Sequence, residues 1–185
     1  IPVIINITGL GSTLQNSKIK RLIIILYRYA CSKARVVFFQ NKSNREFFMS
    51  NGIVKGTKTR LIPGSGVNIN KFVPQKKSNN DQKIKFLFFG RIMREKGINE
   101  FLAAAQQVTK KYDNTEFLML GYFEEQEYKY LEKGMENQRI RYIGSSDNVR
   151  EVIKEVDCII NPSYHEGMSN VLLEGAAMGK PLIAS

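Results

Sequence analysis

Lys83-Ile84-Lys85-Phe86-Leu87-Phe88-Phe89-Gly90-Arg91 is an apolar run of strand length that closes on a glycine. The pattern downstream of it settles the architecture. From Gly97 to Tyr112 the apolar residues Ile98, Phe101, Leu102, Ala105 and Val108 recur on one face of a helix. A strand is predicted at Glu116–Gly121, an acidic helix at Glu124–Met135 and a strand at Arg139–Gly144. A helix at Asn148–Val156, a strand at Asp157–Pro162, a helix at about Ser169–Met178 and a strand at Lys180–Ala184 complete the series. Strands alternating with helices at this spacing predict βαβ crossovers and a parallel sheet covered on both faces. That is an α/β, doubly wound arrangement, whose ligands sit beyond the carboxyl ends of the strands.

Upstream the same pattern recurs with less contrast. Strands are expected at Pro2–Thr8, Arg35–Gln40 and Thr59–Pro63, with helices at about Lys18–Ser32 and Ser43–Asn51. The polar segment VPQKKSNNDQ from Val73 to Gln82 contains Pro74 and reads as a linker. Three regions are therefore expected: part of a first Rossmann-like domain over 1–73, a linker over 74–82, and a second domain over 83–185. Both ends run straight into strand-like sequence, so truncation at both ends is expected.

Charge divides the chain in the same way. Residues 1–77 hold 14 Lys and Arg against the single acid Glu46, a net +13. Residues 78–185 hold 14 against 16 Asp and Glu, a net −2. Two units with different partners are implied. Cys31 and Cys158 lie far apart with no CxxC spacing and read as reduced core residues. One histidine and two scattered cysteines argue against a zinc site.

Two loops carry chemistry. Gly90-Arg91-Ile92-Met93-Arg94-Glu95-Lys96-Gly97 comes directly after the first strand of the second domain, where Arg91 and Lys96 can reach one anion. A solvated basic turn is the plain alternative, but its place at the ligand edge favours binding. Pro162-Ser163-Tyr164-His165-Glu166-Gly167-Met168-Ser169-Asn170-Val171-Leu172-Leu173-Glu174 comes after a buried strand and opens a helix. Unpaired N–H groups around Gly167–Val171 suit phosphate oxygens or sugar hydroxyls. Glu174, on an otherwise apolar stretch, needs a hydrogen-bond partner if buried. A capping Glu166 and a solvent-facing Glu174 would be the bland version.

Glu166 and Glu174 with Pro162-Ser163 and Gly167 resemble the E-x7-E signature (PSxxEG) of family 4 retaining glycosyltransferases, which have the two-domain GT-B fold. The continuation Gly175-Ala176-Ala177-Met178-Gly179-Lys180-Pro181-Leu182-Ile183-Ala184-Ser185 resembles that family's EAMAxGxPVIAS ending. Gly90-Arg91 with Lys96-Gly97 resembles its GRxxxxKG loop. Gly66-Val67-Asn68 before Phe72 resembles its GVD…F domain boundary, with Asn68 in place of Asp. Together these cover nearly the whole chain in order.

The resemblance implies donor-binding roles for Gly90, Arg91, Lys96, Gly144, Ser145, Glu166, Gly167, Met168, Ser169, Asn170, Val171 and Glu174. Arg91 and Lys96 would hold the donor diphosphate and stabilise it as it leaves, and Glu174 would hold the ribose hydroxyls. Glu166 would contact the transferred sugar, and Ile143-Gly144-Ser145 would lie near the base. No metal and no cofactor are implied, because cations and N–H dipoles meet the charge that develops on the diphosphate. Transfer would run from a nucleotide diphosphate sugar, UDP by family frequency, with retention and without an enzyme nucleophile. The acceptor would be a glycan, free or on a polyprenyl diphosphate, in bacterial surface polysaccharide synthesis.

One position departs. The family's PxxxxxHG strand ends in histidine, whereas Pro2-Val3-Ile4-Ile5-Asn6-Ile7-Thr8-Gly9 has Thr8, which is no general base at neutral pH. His165, at a variable position of the signature, is a poor substitute. Thr8, Gly11 and Ser12 are acceptor-side candidates. Gly9-Leu10-Gly11-Ser12 is also an incomplete dinucleotide fingerprint, with Leu14 in the sixth place and Gln40-Asn41 where an acid is required.

The helix around Lys18–Arg35 carries six cations and no acid among Leu22, Ile23, Ile24, Ile25, Leu26, Tyr27 and Tyr29. It reads as a solvated basic face or as adhesion to an anionic membrane. It has no base-stacking or groove-entering motif, so nucleic acid is not an expected partner. A cytoplasmic enzyme at the inner face of the membrane is expected. A GT-B epimerase, or a non-catalytic basic module binding membrane or nucleic acid, is the alternative.

Overall fold

The computed structural model describes residues 2–9, 17–78 and 82–185, excluding the side chains of residues 17 and 18. The chain separates into two compact units. The first comprises Ile1–Gly66 with Glu166–Ser169, and the second Val67–His165 with Asn170–Ser185.

In the first unit β1 (Val3–Ile7), β2 (Ala34–Phe39) and β3 (Thr59–Leu61) form a parallel sheet in the order β1-β2-β3. The crossovers are α1 (Ser17–Lys33) and α2 (Lys42–Ser50). Asn41 starts α2 as an N-cap, its Oδ1 accepting the Asn44 N–H at 2.7 Å. The core gathers Ile7, Cys31, Ala34, Val37, Phe39, Phe48, Ile53 and Val54. α1 turns Ile24, Tyr27 and Cys31 towards it, while Ile19, Leu22, Ile25, Leu26 and Tyr29 are exposed. Some of the basic residues are structural. The Arg28 guanidinium donates to the carbonyls of Asn51 and Gly52 at 3.0 and 3.1 Å, and Lys58 Nζ donates to the Ser32 carbonyl at 3.0 Å.

The second unit is a five-stranded parallel sheet ordered β6-β5-β4-β7-β8. Its strands are β4 (Ile84–Phe89), β5 (Thr115–Leu120), β6 (Ile140–Tyr142), β7 (Cys158–Asn161) and β8 (Leu182–Ala184). Between them run α3 (Ile98–Lys111), α4 (Val149–Lys154) and α5 (Asn170–Ala177). Alternate side chains of one strand serve opposite faces. Phe86 and Phe88 with Phe117 and Met119 face a cluster built with Ile98, Phe101, Leu102 and Ala105 of α3. Leu87 and Phe89 with Leu118 and Leu120 face another, with Ile153, Val156, Val171, Ala177 and Met178. Both faces are covered, which defines the doubly wound layout and explains why β4 reads as continuous apolar sequence.

Two features differ from the sequence reading or add to it. The acidic helix expected over Glu124–Met135 is an eight-residue 3-10 segment, Gln126–Lys133. Only Tyr128 and Leu131 bury themselves there. Anchors three apart match the three-residue turn of a 3-10 helix, and Met135, which packs against the same cluster, lies beyond the segment's end. The polar segment after Val73 is pinned to the second unit. Lys77 pairs with Asp157 at 2.5 Å, and the Ser78 N–H donates to Glu155 Oε1 at 2.9 Å. Upstream of it, Val67 and Phe72 pack into the second unit's core.

Candidate functional site

The strand order of the second unit locates its ligand edge. The chain runs from β4 outward through β5 to β6, then returns to the other side of β4 as β7. The order reverses between β4 and β7, and a crevice opens beyond the carboxyl ends of strands at such a point. The loops beside it are Gly90–Gly97, after β4, and the segment beginning at Pro162, after β7. These are the two loops that the sequence singles out.

Gly90–Gly97 is fastened along its length. The Gly90 N–H donates to the Leu120 carbonyl, and the Ile92 N–H to that of Tyr122, both at 2.9 Å. The Glu124 N–H donates back to Ile92 at 3.1 Å, and the Arg94 N–H to Glu125 Oε2 at 2.8 Å. A single 3-10 turn, Arg94–Lys96, ends at Gly97 with φ 74°, from which α3 starts. A Cβ on Gly97 would collide with the Pro162 carbonyl. The loop therefore needs glycine for its left-handed backbone and for its close approach to the neighbouring loop. Arg91 is exposed, with Nη1 3.7 Å from Glu124 Oε1. Lys96 is half-buried in the turn.

After β7, the Tyr164 N–H and the Ser163 hydroxyl both donate to the Glu95 carbonyl, at 3.0 and 3.4 Å. Farther along, Asn170 and Val171 open α5, and Glu174 sits half-buried in it. Burial raises the Glu174 carboxyl above its ordinary value, and the positive charge of Lys71 works in the opposite direction. Lys71 is fixed through its main chain, its carbonyl accepting from Arg150 Nη1 at 3.3 Å. After β6, the Gly144 carbonyl accepts the Gly121 N–H at 2.8 Å, and Ser145 is exposed.

Glu166, Gly167, Met168 and Ser169 group with the first unit rather than the second. Asn41 Nδ2 donates to the carbonyls of Glu166 and Gly167 at 3.1 and 3.3 Å. A Cβ on Gly167 would meet the Thr8 carbonyl and the Gln40 side chain. Glu166 is exposed and Ser169 buried. Thr8 is exposed at the end of β1, while Gly11 and Ser12 lie outside the described residues.

The expected residues thus divide. Gly90, Arg91, Lys96, Gly144, Ser145, Asn170, Val171 and Glu174 belong to the second unit, and Glu166–Ser169 and Thr8 to the first. A cavity of about 730 Å³ in the first unit, lined by Arg28, Cys31, Met49, Ile53 and Lys58 among others, includes none of them. Asn41, Lys71, Glu124 and Tyr164 are the neighbours that sequence reasoning does not assign to the site. Of these only Asn41 has a local signal, as a cap before a helix. Among the described residues no group of three or more His, Cys, Asp or Glu could hold a metal ion. Cys31 and Cys158 are free and buried, and burial pushes both thiols up. No helix among the described residues is long and apolar enough to cross a membrane.

Known proteins carry the same pattern. The chain is 28% identical over 195 residues to the N,N'-diacetylbacillosaminyl-diphospho-undecaprenol alpha-1,3-N-acetylgalactosaminyltransferase of Campylobacter jejuni, covering 97% of this chain and 51% of that protein. It is 22% identical over 161 residues to the capsular polysaccharide biosynthesis glycosyltransferase CapM of Staphylococcus aureus, covering 78% of this chain and 42% of CapM. The chain therefore spans about half the length of these relatives or less. Among solved structures, Anabaena HepE in complex with UDP-glucose superposes with a TM-score of 0.77 at 22% identity, over 99% of this chain and 53% of HepE. That likeness shows the fold, which is of the GT-B type. The pattern described as Glycosyl transferases group 1 matches residues 83–185, more than half of the sequence, and the chain belongs to that family.

Proposed function

We propose that this chain carries the donor-binding part of a glycosyltransferase that moves a sugar from a UDP-sugar to a glycan acceptor, free or linked to a polyprenyl diphosphate. The observation that carries this reading is the loop pair at the strand-order reversal of the second unit. There Arg91 and Lys96 share one fastened loop beyond β4, and the family pattern covers the same residues. Two cations on one fastened loop suit a diphosphate, and they supply the charge compensation that a metal would otherwise bring. Glu174 suits the ribose hydroxyls, which would give its half-buried carboxylate the partners it needs. Binding there would also displace Glu124 from Arg91, exchanging a weak exposed ion pair for charge-assisted hydrogen bonds.

The transfer proceeds with retention. The acceptor oxygen bonds to the anomeric carbon on the face from which the diphosphate departs, the bonding pair of the broken C–O bond leaves on the diphosphate, and the acceptor hydroxyl's proton passes to the departing diphosphate oxygen. Glu166 touches the transferred sugar without acting as a nucleophile, and Thr8 contributes hydrogen bonding rather than a base. No cofactor takes part. The Campylobacter relative, whose name specifies an undecaprenyl-diphosphate-linked acceptor, supports a lipid-linked acceptor in surface polysaccharide synthesis. The exposed apolar and cationic residues of α1 suit peripheral attachment at the cytoplasmic face of the membrane.

Calorimetric titration of UDP and GDP into the protein and into Arg91→Ala tests the donor site. UDP binds the wild type, and removing the guanidinium weakens it by about tenfold to a hundredfold, the range for a lost hydrogen bond to a charged group. Absence of nucleotide binding to the wild type, or equal affinity in both proteins, overturns the reading.

A further inference from the structure

We propose that Tyr164 and Glu100 are positioning residues of the donor site, acting together as a side-chain strut that holds the loop after β7 against the loop carrying Arg91 and Lys96. The Tyr164 hydroxyl donates to Glu100 Oε1 at 2.5 Å. Glu100 lies in the first turn of α3, three residues beyond the Gly97 that ends the cation loop. The Tyr164 and Ser163 bonds to the Glu95 carbonyl attach the same two segments at a second point. The third point is the approach of Gly97 to the Pro162 carbonyl.

These fastenings differ in what they demand of the sequence. The Tyr164 N–H to Glu95 bond runs from backbone to backbone and survives most substitutions. The Gly97 approach needs only the absence of a side chain. The Tyr164–Glu100 bond alone requires two particular side chains, 64 positions apart. Both are solvent-exposed, where a hydrogen bond adds little to global stability. Its effect falls on the relative placement of the two loops. The same bond lowers the Glu100 carboxyl below its ordinary value.

This inference rests on the donor-site reading, and its test separates the two. Tyr164→Phe, Glu100→Ala, their double variant and Glu100→Gln are compared with wild type by UDP titration, thermal melting and amide hydrogen exchange. Tyr164→Phe and Glu100→Ala each weaken UDP by about fivefold, the size of one lost hydrogen bond. The double variant is no weaker than either single, because one bond has been removed twice. Glu100→Gln keeps a carbonyl acceptor and recovers most of the affinity. Exchange at Glu95–Gly97 and Ser163–Tyr164 quickens in Tyr164→Phe while the melting temperature holds. Additive losses in the double variant, or exchange and affinity that do not change, overturn the strut. If UDP fails to bind the wild type, the donor-site reading falls, and the exchange comparison still decides whether the strut exists.

Discussion

β1 and β5 are both short apolar parallel strands, yet every residue of β5 is buried, whereas β1 buries only Ile7. Ile4 is 64% exposed and Val3 45%. The difference lies in what covers them rather than in their composition. β5 lies between β4 and β6 with a packed cluster on each face. β1 is an edge strand with β2 as its one partner among the described residues. Apolar sequence marks which residues are able to leave water; neighbours decide which ones do.

Truncating one residue from each strand tests this contrast most severely. Phe117 stacks on Phe86 at 4.7 Å between ring centroids and meets Phe101 edge-on at 5.7 Å. Phe117→Ala should cost about 3–5 kcal/mol of unfolding free energy, the usual figure for a buried phenyl ring. Ile4→Ala should change it by less than about 0.5 kcal/mol, as exposed substitutions generally do. Urea unfolding of both variants checks this, and comparable losses would mean that Ile4 is covered in solution.

A second substitution carries the contrast to the loops. Gly97→Ala should destabilise the second unit by roughly 3 kcal/mol, through a left-handed backbone carrying a Cβ and a collision with the Pro162 carbonyl. Near-UV circular dichroism across a denaturant series would register the loss. A silent substitution would show that the two loops do not press together.

A slighter change is expected at Glu174. Its carboxyl is raised by burial, so the ionised form destabilises the folded state. That penalty is complete above the raised value and fades as pH falls through it towards the ordinary value of about 4.3. Glu174→Gln should therefore melt slightly higher than wild type at pH 7, with the gap closing as the solution is acidified. The same variant should bind UDP more weakly, a gain in stability at the expense of binding. A variant that melts lower at pH 7 would show that Lys71 outweighs desolvation.

How much of this is legible in the sequence depends on range along the chain. The α3 stripe of Ile98, Phe101, Leu102 and Ala105 falls within eight residues and reads directly as the buried face observed. The loops after β4 and β7 are visible because glycine and charge cluster locally at strand ends. The Gln126–Lys133 segment reads as an α-helix because its acidic composition favours one and because Tyr128, Leu131 and Met135 stand at helical spacing, whereas its backbone is 3-10. The Arg91–Glu124 pair joins positions 33 apart, and the influence of Lys71 on Glu174 crosses a hundred residues. No local pattern announces such pairs. Tyr164 sits at an unassigned position of PSxxEG, and its partner Glu100 looks like any acidic residue in a first helical turn.

Gly121 ties three of these strand ends together. Its N–H is taken by Gly144 at 2.8 Å, its carbonyl accepts the Tyr142 hydroxyl at 2.8 Å, and the volume a side chain would occupy is filled by the Gly90 carbonyl. In evolutionary terms the position is a dead end, since every one-step replacement adds a carbon where that carbonyl already lies. The place where β4, β5 and β6 end together therefore admits no side chain at this position.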